Sequence, residues 1–247
     1  MSPINPRPVV LITGAGKRVG AVIAHQLHAA GYDLALHYRH SADACLQLAT
    51  QLNTERPSST LALAAELADI AQLPLLIEQV MSRFGRLDGL INNASAFYPT
   101  PIDTATPAQW NELFASNAQA PFFLVQAALP ALRQSQGAII NLIDIYAERA
   151  LREHPLYVMA KAALAAMTRT LAADLGPTVR INGIAPGAVL WPSEGKPLAA
   201  QQAMIAATPL QRMGTPDDVA RTALWLLRDA PFVTGQIITV DGGRSLP

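Results

Sequence analysis

The sequence predicts a doubly wound α/β domain. Two observations lead there. Short, continuously apolar runs alternate strictly with segments of helical apolar spacing along the 247 residues. The first run breaks into a glycine turn that opens the first helix. Continuous apolar strands separated by helices imply a parallel sheet covered on both faces. Right-handed crossovers then bring the C-terminal ends of all strands to one edge. The length suits one such domain, and no repeat or internal linker interrupts it. The expectation is therefore a single domain, 1–247, with about seven strands.

The elements follow in order. "PVVLITGAG" reads as a buried strand ending in a glycine turn, and "RVGAVIAHQLHAAG" as a helix stopped at Gly31. "YDLALHYR" is the second strand; "ADACLQLATQLN" is a helix closed near Pro57. "STLALAAEL" alone reads equally as strand or helix, and its position between two helices makes it the third strand. "AQLPLLIEQVMSRFG" is a helix stopped by Gly85, and "LDGLINNAS" a fourth strand running into a polar turn. Residues 107–135 read as helical with a break near Asn117. "GAIINLID" is the fifth strand, 155–175 a helix stopped at Gly176-Pro177, and "VRINGIAPG" the sixth strand. Residues 187–214 read as irregular with a short helix. "TPDDVARTALWLLR" has Thr215 as N-cap and Pro216 at the first helical position. "GQIITVDGG" is the last strand.

Composition excludes some functions. Eighteen basic and 18 acidic side chains balance, so there is no basic footprint for nucleic acid. A single cysteine, Cys45, excludes an internal disulfide framework and suits a reducing compartment. "MSPINPRP" lacks a hydrophobic signal core and no apolar run reaches membrane-spanning length. A cytoplasmic protein without a membrane partner is expected, and no metal site.

Ligands of doubly wound sheets bind beyond the C-terminal strand ends, near the switch in strand order. Five segments fall there: Thr13–Gly20, His37–Ser41, Asn92–Phe97, Asp144 and Pro186-Gly187. In "TGAGKRVG", Gly14, Gly16 and Gly20 let the backbone turn and approach a pyrophosphate at the helix N-terminus, although a plain strand–helix turn has the same look. Lys17 and Arg18 oppose the helix dipole there, and a bound anion would offset that cost. An NAD site needs an acid at the end of the second strand. This strand ends "HYRHS" instead, and Arg39, His40 and Ser41 offer donors to a 2′-phosphate, which favours NADPH. Asn92 and Asn93 suit either a cofactor contact or a simple strand end. Tyr157 and Lys161 stand one helical turn apart, so the ammonium is expected to lower the phenol's pKa.

Taken together, TGxxxxxG, NNA, an active-site residue after strand five, YxxxK, and PG after strand six occur in the order of the short-chain dehydrogenase/reductase family, which the whole chain resembles. The resemblance implies a Rossmann-like sheet of seven strands, a nicotinamide cofactor and a homotetramer paired through helices such as "PFFLVQAALPALR". It also implies cofactor contacts from Tyr38, Val19, Glu66, Leu67, Asn93, Ala94, Ser95, Tyr157, Lys161, Pro186 and Gly187. Asn117 matches the family's helix-four asparagine, which supports the lysine through water.

Two departures from the family pattern matter. The usual glycine at position 18 is arginine, and the usual catalytic serine is Asp144. Both departures, with "HYRHSA", "LNTERPSS" and "NNASAFYPTP", resemble the pteridine reductase subgroup, close to dihydromonapterin reductases. That resemblance implies NADPH-dependent reduction of a dihydropterin or dihydrofolate C=N bond in folate metabolism. Phe97 would stack on the pterin, with Arg18 and Ser95 contacting both cofactor and substrate. Asp144, Tyr157, Lys161 and Asn117 form the expected catalytic set. Glu66 stands where an aspartate usually contacts adenine, and 188–212, with Trp191 and Pro192, has no clear match in the subgroup. Burial would raise the pKa of Asp144 while Lys161 and Arg18 would lower it, and the sequence does not decide between them. A ketoacyl or other carbonyl reductase, and an NADP(H)-sensing module without turnover, are the alternatives.

Overall fold

The computed structural model describes residues 7–190, 195 and 197–246; Trp191 and Pro192 lie outside these. Among the described residues seven strands form one parallel sheet of order β3-β2-β1-β4-β5-β6-β7. They are β1 (Val9–Ile12), β2 (Asp33–Tyr38), β3 (Thr60–Ala64), β4 (Gly89–Asn92), β5 (Ala138–Leu142), β6 (Arg180–Pro186) and β7 (Ile237–Val240). The helices are α1 (Arg18–Ala29), α2 (Ala42–Glu55), α3 (Gln72–Phe84), α4 (Pro107–Phe114), α5 (Ala120–Ser135), α6 (Pro155–Leu175), α7 (Leu198–Ala206) and α8 (Pro216–Arg228). This is the Rossmann-like class expected from the sequence.

The period of two along each strand splits the core. Val10 and Ile12 join Ile23, Leu27 and Val219 from α1 and α8 on one face. Val9 and Leu11 join Leu76, Val80, Leu124 and Leu132 from α3 and α5 on the other. Both faces are therefore dry, which is why the strands read as continuous apolar runs. Local signals terminate the helices as expected. Gly85 closes α3 at φ 72°, and Thr215 and Asp218 form a reciprocal capping box at α8. No helix among the described residues is long and apolar enough to cross a membrane.

The strand order reverses between β1 and β4. Register places Ile12 opposite Ile91 and Asn92 opposite Asn141, so the exits of β1, β4 and β5 lie side by side. A buried ladder reinforces this. The Asn92 amide donates to Asn141 Oδ1 at 2.9 Å, and the Asn141 amide to Thr168 Oγ1 of α6 at 2.8 Å. The break expected near Asn117 is a π-helical turn, Ala115–Gln119, between α4 and α5.

Candidate active site

The C-terminal edge opens into a cleft of about 880 Å³. Gly14, Lys17, Arg18, Val19, Gly20, Arg39, His40, Ser41, Glu66, Leu67, Asn93, Ala94, Ser95, Phe97, Asp144 and Tyr157 line it. Lys161 and Asn117 are fully buried and do not line it. Tyr38, Pro186 and Gly187 are also absent from its wall. Tyr38 packs against the hydrophobic core, and the Gly187 N–H bonds the Val240 carbonyl where β6 and β7 end.

The glycine turn is fastened from two sides. Gly14 takes φ 63°, and a Cβ on Gly20 would lie 2.4 Å from the Gly14 carbonyl and 2.7 Å from Asn93 Nδ2. Glycine is what lets α1 approach the turn this closely. The Asn93 amide donates to the carbonyls of Thr13 and Gly14, while Thr13 Oγ1 accepts the N–H groups of Asn93 and Ala94. Asn93 thus does more than end a strand: it locks the turn.

His37, the first residue of one of the five edge segments, supplies the other fastening, a role the sequence does not assign to it. Its Nδ1 accepts the Gly14 N–H at 3.2 Å, so its Nε2, 3.1 Å from the Ala65 carbonyl, is the donor. Burial lowers its pKa and keeps the ring neutral, as this pairing requires. Its only sequence signal is a polar residue inside an apolar strand.

The mouth of α1 suits an anion. Its N-cap, Lys17, makes no side-chain capping bond, and the first helical turn contains no acid. The amide donors there have no side-chain cap, and two cations stand beside them, so a phosphate fits this donor set. Arg18 takes φ 56°, in the left-handed region that favours glycine. That costs an L-residue about 1–2 kcal/mol. Arg39, expected as a phosphate donor, instead has its Nε 2.6 Å from Glu66 Oε2.

Asp144 caps a short 3₁₀ turn, accepting the Tyr146 N–H at 2.9 Å with Oδ1. Its Oδ2 accepts the Tyr157 hydroxyl at 2.7 Å. Lys161 Nζ donates to the Leu142 carbonyl at 2.8 Å. Burial raises the pKa of Asp144 more than its hydrogen bonds and the Lys161 charge lower it. The expected lowering of the Tyr157 pKa does not hold in this arrangement. Burial, and then the Asp144 charge and hydrogen bond, push it well above the ordinary phenol value. Lys161 lies over the tyrosine ring, 5.8 Å from its centroid, and donates to a carbonyl rather than to the phenol oxygen. Its own pKa falls to about 8, through burial, against the pull of Asp144.

The π turn directs Asn117 inward. Its amide donates to the Ala96 and Leu113 carbonyls, and its Oδ1 accepts the Ser95 hydroxyl at 2.6 Å. It therefore supports the 95–97 loop directly. Glu112 and Ser116 also line the cleft and were not anticipated. The nearest sequence signal was the helix break itself. Phe97, 54% exposed, stands edge-on to Tyr157 and stacks on His154, with ring centroids 4.7 Å apart in both pairs. No group of three or more His, Cys, Asp or Glu among the described residues could hold a metal ion.

Comparison with known proteins matches this architecture. A family model described as Enoyl-(Acyl carrier protein) reductase covers residues 14–245. Pteridine reductase 1 of Leishmania tarentolae is 34% identical over 97% of this chain and 96% of its own length. An uncharacterized oxidoreductase of Mycobacterium tuberculosis is 36% identical over 97% of this chain and 92% of its own. The 3-oxoacyl-[acyl-carrier-protein] reductase FabG of Staphylococcus aureus is 31% identical over 94% of this chain and 96% of its own. The chain belongs to the short-chain dehydrogenase/reductase family of oxidoreductases.

Proposed function

We propose that this chain is an NADPH-dependent pteridine reductase acting on the C=N bond of a dihydropterin such as dihydrobiopterin or dihydromonapterin, with dihydrofolate as a further candidate. The observation behind it is the Tyr157–Asp144 hydrogen bond of 2.7 Å in the wall of the cleft. A carboxyl group beside the phenol suits a nitrogen that must gain a proton. Arg18, held in a left-handed conformation at the same cleft, supports the reading, because such strain persists where a side chain has work to do. The similarity to a pteridine reductase over almost the whole chain supports it too.

NADPH, when bound, supplies the hydride. The glycine turn, Lys17 and Arg18 would hold its pyrophosphate, and Arg39, His40 and Ser41 its 2′-phosphate. Phe97 offers a flat apolar face for the pterin ring. Tyr157, with its pKa raised, retains its proton at neutral pH and donates it to the substrate nitrogen. Asp144, whose pKa is raised by burial, accepts the Tyr157 hydroxyl and holds the phenol in register. Lys161 places a positive charge behind the tyrosine ring, and Asn117 braces the Ser95–Phe97 loop.

Similarity to 3-oxoacyl reductases favours a carbonyl reductase as the second reading. An ionised Asp144 would repel the alkoxide that forms in that reaction. Following NADPH absorbance with dihydrobiopterin, dihydromonapterin, dihydrofolate and an acetoacetyl thioester separates the two. Turnover of a pterin is expected; turnover of the thioester alone would overturn the proposal, and NADPH binding without any turnover would point to a sensing module.

Assembly belongs to the same proposal. Trp110, Phe114, Phe122, Phe123 and Met167 line an apolar groove of about 600 Å³ across α4, α5 and α6. A second copy would cover it within the homotetramer that the family resemblance implies. A monomer at micromolar concentration in sedimentation would contradict this.

A further inference from the structure

We infer that Glu66 is a selectivity residue for the 2′-phosphate of the cofactor, acting as a built-in competitor for Arg39. The inference rests on the NADPH reading above. Arg39 leaves β2 and Glu66 follows β3, so the pairing of these two strands brings them together at the cleft wall. Glu66 Oε2 lies 2.6 Å from Arg39 Nε. This carboxylate is held in place. Its Oε1 accepts the Ala68 N–H at 3.0 Å, and its own N–H donates to Gln72 Oε1 at 2.9 Å. Arg39 therefore already faces a positioned anion at the edge where a second anion is to bind.

The chemistry of the pair gives the direction of the effect. A guanidinium binds a phosphate best with its fork of donors free, and here one of those donors is committed. A phosphate arriving at Arg39 also meets the negative charge of Glu66. Both side chains are more than a third exposed, so solvent screens the repulsion and the penalty is modest. A ligand without a 2′-phosphate loses little from either cause. Glu66 thus narrows the preference for phosphorylated over unphosphorylated adenosine ribose.

Calorimetric titration at low salt tests this without catalysis. The probes are adenosine 2′,5′-bisphosphate and adenosine 5′-monophosphate. Glu66→Gln keeps an acceptor for the Ala68 N–H and removes the charge. It is expected to tighten the bisphosphate about three- to ten-fold and change the monophosphate less than about two-fold. With Arg39→Ala already in place, adding Glu66→Gln should no longer tighten the bisphosphate. Unchanged or weaker bisphosphate binding in Glu66→Gln would overturn the inference alone, as would an equal gain for both nucleotides. Failure of the unaltered protein to bind either nucleotide would overturn the cofactor reading and this inference together. An unchanged melting temperature in Glu66→Gln establishes that the fold is intact.

Discussion

Two clusters of titratable side chains sit at opposite edges of the same sheet. At the N-terminal edge, His28 lies 3.5 Å from Glu55 and 2.8 Å from Ser59 Oγ, an acid, an imidazole and a hydroxyl in sequence. At the C-terminal edge stand Asp144, Tyr157 and Lys161. By residue type the first looks the more reactive. Its polarity runs the wrong way, however. Ser59 gives its proton to the Arg56 carbonyl at 2.6 Å, so His28 Nε2 donates to the serine and is no base for it. Ser59 is completely buried. The cluster ties the end of α1 to the start of β3, while Arg56 bonds the carbonyls of His28 and Tyr32 and lies 3.4 Å from buried Asp33. What separates the two clusters is therefore the edge of the sheet and the access it gives, rather than the residues available.

The contrast can be broken from either side. Tyr157→Phe is expected to lower kcat for dihydropterin reduction about 10³-fold, the size of a lost positioned acid, with little change in melting temperature. Retention of most of the rate would remove Tyr157 from its role. Arg56→Ala should do the reverse. Leaving the His28 and Tyr32 carbonyls without the Arg56 donor is expected to cost about 2 kcal/mol, or a fall in melting temperature of roughly 4–8 °C by thermal scan. The kcat of the folded fraction should not change; a parallel loss of kcat would couple the two edges.

A smaller effect is expected at Phe97. Phe97→Ala should raise the KM for a dihydropterin about ten-fold while kcat falls less, since a stacking surface contributes on the order of 1 kcal/mol. An unchanged KM would place the pterin elsewhere. The finest test is a titration. Lys161 is expected to lose its proton at about pH 8, read by NMR of the labelled side chain. The Asp144 charge raises that pKa, so Asp144→Asn should move it further down. The linkage sign follows from the same shift. Between about 8 and the ordinary 10.5 the unfolded chain binds more protons at this site than the folded one. The contribution of Lys161 to stability therefore rises with pH across that window.

Much of this was legible in the sequence, for identifiable reasons. The strands are buried on both faces, so their apolar runs stand out; even the ambiguous run at 59–67 resolved once its neighbours were assigned. Most residues expected at the cleft do line it, because strand ends and glycine turns are local signals. What was hidden depends on distances between strands. His37 acts by joining Gly14 to Ala65, and neither contact leaves a trace in spacing. The Arg39–Glu66 pair spans two strands that only the fold makes neighbours. The four-residue interval from Tyr157 to Lys161 suggested an ammonium acting on the phenol. The observed geometry gives the phenol to Asp144 instead, and this reverses the sign of the shift.

The π turn at Ala115–Gln119 has a consequence in helical phase. It accommodates one residue more than a regular turn and so offsets α4 from α5 by about 100° about their common axis. Buried Leu113 ahead of it packs with Leu156 and Tyr157, whereas Leu124 beyond it packs into the sheet. Deleting a single residue there would straighten the rod and rotate Glu112 and Ser116 away from the cleft. The segment is thus a vernier between two packing surfaces, and its length in residues is as much a part of the site as any side chain in it.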